Sequence, residues 1–149
     1  MSKGDTWELD LLKLVFQNTA AALIGDASGL QPSAGAGSLY VALHSSDPGE
    51  TGAQNTNEIS YTGYGRVGVA RSGAGWTVSG TAPTQVANAA LITFGQDTVG
   101  SVTATHFSVG TASSGAGKLL YSGALGANLA ISPGITPQFA IGALVVTED

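Results

Sequence analysis

The sequence predicts a mainly β protein: an antiparallel β-sandwich or jelly-roll-like domain carrying one N-terminal α-helix. Three observations carry that prediction. Short β-rich runs recur along most of the chain, separated by Gly, Ser, Asn or Pro clusters. Only one stretch, near the N-terminus, shows helical periodicity, and with no second helix a βαβ fold is excluded. Glycine supplies 22 of 149 residues, about twice the usual ~7%.

The helix comes first. Asp5 and Glu8 stand three apart ahead of an apolar run, the spacing of a capping box with Asp5 as N-cap. Leu11, Leu12, Val15, Phe16, Ala20 and Leu23 then recur on one side, and Gly25 supplies a stop. The pattern predicts a helix over 6–24. Trp7, Leu9 and Leu14 lie off that stripe, so the helix is apolar on two sides, which suits either two partners or a groove of its own domain. The expected division is a helix arm over 1–25, a small-residue linker over 26–37 and a β-sandwich domain over 38–149.

Within that domain, Ser38–His44 alternates, with Leu39, Val41 and Leu43 on one face and Tyr40, Ala42 and His44 on the other. A long polar loop, 45–57, follows. In it Asp47-Pro48-Gly49-Glu50 has the Pro and Gly placement of a type II turn. Further strands are expected at Ile59–Tyr61, Tyr64–Arg71, Trp76–Ser79, Ala90–Phe94, Val102–Val109, Lys118–Ala124 and Phe139–Thr147. Trp76 reads as core.

Composition excludes whole classes of function. Cysteine is missing, so there is no disulfide framework, thiolate metal site or cysteine nucleophile. Five Lys and Arg in a chain of net charge −5 supply no nucleic-acid footprint. No segment reads as a signal peptide or a membrane span, since Asp10, Lys13, Gln17 and Asn18 break the apolar N-terminal run. Synthesis in the cytoplasm is expected. The charge is also uneven. Residues 72–147 carry only Asp97 and Lys118. That stretch is either a neutral polar surface or, the favoured reading, surface that other subunits cover, since charge depletion marks interface cores.

Chemical motifs are weak. Gly63-Tyr64-Gly65-Arg66-Val67-Gly68 fits a dinucleotide fingerprint literally, but a strand follows it where a helix must begin. Gly115-Ala116-Gly117-Lys118 lacks the first glycine and the Ser/Thr of a phosphate-binding loop. His44 and His106 are the only histidines; His106 reads as a solvent-facing or interface residue. Asp47, Glu50 and Glu58 match no calcium loop. Arg66 and Arg71 are expected to pair with acids of the 47–58 loop. No catalytic residue, metal or cofactor is expected.

Residues 38–80 carry a resemblance. The LYVALH strand, the DPGE turn, the TNE segment (Thr56–Glu58) and the TGY-x-R strand (Thr62–Arg66) resemble those of small virion structural proteins of tailed bacteriophages. The stretches Thr105–Phe107, Gly117–Gly123 and Val145–Asp149 are similar too. Such proteins are capsid cement (decoration) proteins or tail-fibre-like proteins, and the resemblance brings no catalytic residues. The compact, acidic, charge-poor chain favours a cement protein on the outer capsid, bound to the major capsid protein and assembled as a dimer or trimer. The alternative is a tail-fibre or baseplate component with tail proteins as partners. Nucleic acid and membrane are not expected partners. Candidate partner contacts are Trp7, Leu11 and Phe16 on the helix and His106, Phe107 and Tyr121 on two neutral strands.

Overall fold

A computed structural model describes residues 2–80 and 83–148. The mainly β class with one N-terminal helix and antiparallel sheets is what forms. The elements are α1 (Asp5–Gln17), β1 (Ser38–His44), β2 (Val67–Ala70), β3 (Trp76–Ser79), β4 (Thr84–Asn88), β5 (Ile92–Thr93), β6 (Val102–Gly110), β7 (Leu119–Ile131), β8 (Gln138–Phe139) and β9 (Val145–Glu148). They group into two compact units that interleave along the chain. One unit takes the first 38 residues, Ala70–Leu91 and the segment from Phe139 onward; the other takes Leu39–Val69 and Ile92–Gln138. This cuts the chain differently from the expected arm, linker and domain.

In the first unit α1 lies on the three-stranded sheet β3-β4-β9. Leu12 and Phe16, one turn apart, are fully buried, and Phe16 meets Trp76 edge-on with ring centroids 4.8 Å apart. The helix starts one residue before the expected span. Gly4, extended, is the N-cap and makes no side-chain cap bond, while its carbonyl accepts from the Trp7 and Glu8 amides. Asp5 and Glu8 therefore sit in the first turn, where they favour the helix dipole, and form no capping box.

The helix also ends seven residues early, at Gln17 rather than Ile24, for tertiary reasons. Asn18 adopts a left-handed conformation (φ 55°). Its side chain then locks onto Ser33: Nδ2 donates to the Ser33 carbonyl at 2.9 Å, and Oδ1 accepts from the Ser33 amide and hydroxyl. Just beyond, Ala21 pairs with Leu30 in an isolated antiparallel bridge. The carbonyls orphaned at the helix end go to Arg71, which donates to Leu14 and Val15 at 2.7 Å each, and also to Ala36 and the Ser33 hydroxyl. Arg71 thus caps the helix instead of pairing with an acid of the 47–58 loop. Arg71→Lys keeps the charge and loses the fork. It is expected to cost about 1–3 kcal/mol, read by chemical denaturation; an unchanged midpoint would show the cap to be dispensable.

In the second unit a four-stranded sheet runs β2-β1-β6-β7. β1 and β6 pair antiparallel from Tyr40↔Gly110 to His44↔His106. β7 is the outer strand and extends seven residues past the expected end at Ala124. Its ladder with β6 is interrupted by a wide bulge. Ala104 faces Leu129 and His106 faces Ala124, so Thr105 alone opposes Leu125–Asn128. Only Ile131 of β7 is buried. Ile59–Tyr61 forms no strand; Glu58 makes a single bridge to His44. The strand expected over 64–71 is confined to Val67–Ala70, that over 90–94 to Ile92–Thr93, and that over 139–147 is split between β8 and β9.

Candidate functional site

Loop 45–57 begins with the expected turn: Gly49 has φ 71°, and its amide donates to Asp47 Oδ1 at 2.9 Å. The loop then folds back over the end of β1. Gln54, fully buried, donates from Nε2 to the Tyr40 carbonyl at 2.7 Å and accepts from the Ala112 amide through Oε1. Its own amide donates to the Ala116 carbonyl at 2.7 Å. One buried side chain therefore joins this loop to residues 111–117, the turn between β6 and β7.

A second tie lies beside it. Arg66 forks onto Glu58, with Nε to Oε1 at 2.8 Å and Nη2 to Oε2 at 2.7 Å. The same guanidinium donates to the carbonyls of Ala112 (2.9 Å) and Gly115 (2.6 Å). The Tyr64 hydroxyl donates to Glu58 Oε1 at 2.9 Å and accepts from the Leu43 amide. Arg66 is the arginine that meets the expectation of an acidic partner. The bond to Glu58 raises its pKa further above that of an ordinary guanidinium, and burial pushes the Tyr64 phenol well up. Behind the pair, Tyr64 stacks on Phe94 and meets Tyr61 edge-on. The Tyr61 hydroxyl donates to the Gly95 carbonyl.

These ties enclose a cleft of about 360 Å³. Asn55, Glu58, Ser60, Tyr64, Arg66 and Ser114 are among its lining residues. The glycine motif beside it holds no nucleotide loop. Gly63 has φ 108° and lies against the Gln96 carbonyl, where an added Cβ would fall 2.2 Å from the oxygen. The segment then enters β2, and no helix N-terminus follows. Glu58 is fully engaged with Arg66 and Tyr64, and no cluster of three metal-ligating side chains occurs among the described residues.

The histidines separate sharply. His44 is fully buried, with Nδ1 2.8 Å from the Thr56 carbonyl and Nε2 2.7 Å from Ser108 Oγ. A carbonyl only accepts, so Nδ1 carries the proton and Nε2 accepts from Ser108. That is the geometry of a base and its nucleophile, yet Ser108 is also at 0% exposure and no substrate reaches it. The pair fastens β1 to β6 and to loop 45–57.

Burial, the largest influence, lowers the His44 pKa below the ordinary 6.5. The unfolded chain therefore takes up this proton first as pH falls. The contribution of neutral His44 is fully present above about pH 6.5 and is lost as pH falls toward the folded-state pKa. The expected result is a melting temperature that drops between pH 7 and pH 5, with a smaller drop in His44→Gln. Equal drops in both proteins would locate the acid sensitivity elsewhere.

The six candidate contact residues divide by depth. Phe16 is fully buried on Trp76 and Phe107 is 8% exposed, so both rings serve the interior. Phe107 lies against Gly123 across the β6–β7 ladder. Trp7, Leu11, His106 and Tyr121 are half-buried. Trp7 and Leu11 belong to the first unit, His106 and Tyr121 to the second. The sequence reading missed Gln54, whose setting in a polar loop without aromatics gives no sign of burial.

A mainly β chain with no open catalytic constellation among its described residues, a charge-poor surface and phage-like segments is a structural protein of a tailed-phage virion. Residues 4–147 match the family model described as podophage GP4 fiber I protein gp80, and the chain belongs to that family. No curated protein matches the chain. No described helix is long and apolar enough to cross a membrane.

Proposed function

We propose that the protein is a fibre subunit of the phage tail, acting by assembly and not by catalysis. The observation that carries this reading is the match to a fibre-protein family over 4–147. It favours the tail-fibre alternative over the cement role that composition favoured. The surface is consistent with assembly. β7 carries no charged residue and exposes or half-exposes every position before Ile131, and a surface so poor in charge suits contact with neighbouring subunits. The partners proposed are further copies of this chain and adjoining tail proteins; the half-buried Trp7, Leu11, His106 and Tyr121 are the contact candidates that remain.

Copy number and position on the particle test the reading. Quantitative gels of purified virions, with immunogold labelling, are expected to show few copies per particle, all at the tail. Hundreds of copies spread over the shell would overturn the fibre reading in favour of cement.

A further inference from the structure

The cleft of the second unit has the chemistry of a binding site. Its frame is rigid before any ligand arrives. Arg66, with a side chain 2% exposed, uses four N–H donors on Glu58, Ala112 and Gly115, and buried Gln54 ties the same turn from the other side. Such pre-organisation lowers the ordering cost of binding. Around that frame, Asn55, Ser60, Ser113 and Ser114 line the cleft and are exposed. Their side chains make no hydrogen bond within the described chain. Each offers both donors and acceptors.

The charge defines the ligand further. Among the described residues that line the cleft, only Glu58 and Arg66 are charged, and they neutralise each other. The Glu58 carboxylate already accepts three bonds, which leaves little for a cation. The chain's net charge of −5 disfavours an anion. A volume of about 360 Å³ falls at the small end of ligand pockets.

We propose that this cleft binds a neutral polyhydroxylated ligand, a saccharide unit, through Asn55, Ser60, Ser113 and Ser114 around the fixed Glu58–Arg66 pair. A sugar ring presents hydroxyls that each donate and accept, which is what these four side chains match. The inference rests on the cleft and not on where the protein sits in the particle, so it stands or falls separately from the fibre reading.

The test is a titration of the isotopically labelled full chain with glucose, galactose, rhamnose and N-acetylglucosamine, followed by amide shifts. At least one sugar is expected to shift Ser60, Gly65 and Ser113–Gly115 saturably, with a Kd on the order of 1 mM. Ser114→Trp fills the cleft and is expected to raise that Kd at least about tenfold. Ser60→Ala removes one hydroxyl without adding bulk and is expected to weaken binding severalfold. No saturable shift with any of the four sugars overturns the proposal. So do affinities in both variants equal to that of the unaltered chain, or tighter binding of glucose 6-sulfate than of glucose.

Discussion

Phe16→Ala is expected to destabilise the protein by about 3–5 kcal/mol, enough to lower the melting temperature of a 149-residue chain by roughly 10–15 °C. The ring is fully buried and edge-on to Trp76, so its removal leaves a cavity that the sheet beneath α1 cannot close. Trp7→Ala, on a half-buried position of the same helix, serves as the comparison. It should cost clearly less in the isolated protein and weaken assembly instead. Thermal melts of the two variants separate a core residue from a contact residue. Equal losses would mean that the helix is held as much by Trp7 as by Phe16.

The second large effect concerns Arg66. Arg66→Ala strands the Glu58 carboxylate in a partly buried site and frees the Ala112 and Gly115 carbonyls. The expected loss is about 3–5 kcal/mol, together with faster amide exchange across residues 111–117. Because the pair acts as a unit, Arg66→Ala with Glu58→Ala should cost less than the sum of the two single changes. A loss under about 1 kcal/mol for Arg66→Ala would put the bridge among ordinary surface pairs.

Much of the fold is legible where burial follows apolarity. β1 and β6 alternate plainly, and α1 is found because Leu12 and Phe16 share the face that packs. Legibility fails where polar groups hold the structure. β4 gives no strand signal in the sequence because two of its three inward positions are Thr84 and Asn88, with only Val86 apolar. Asn88 is buried since it serves the turn before β9, donating to the Ala90 and Ala140 carbonyls and accepting from the Leu144 amide. The helical pattern runs past the real end of α1 because that end depends on Ser33 and Arg71, far along the chain. The alternation in β1 hides that Ala42 and His44 are also covered, by a loop whose closure rests on Gln54 and His44 themselves. For the cleft, the pairing of Arg66 with an acid could be anticipated. The carbonyls it also gathers carry no side-chain signature.

The bulge in β7 bears on the time between synthesis and assembly. An outer strand of thirteen residues without charge or proline would, if straight, be an open template for any other strand. With Leu125–Asn128 thrown out against Thr105 alone and a second shift at Leu120, the edge is broken into the run Tyr121–Ala124 and short remainders on either side. No piece supports the long, in-register stacking from which insoluble aggregates grow. In a chain so poor in repelling charge, the bulge thus does at this edge what charge or proline does at others, blunting it against pairing with further copies.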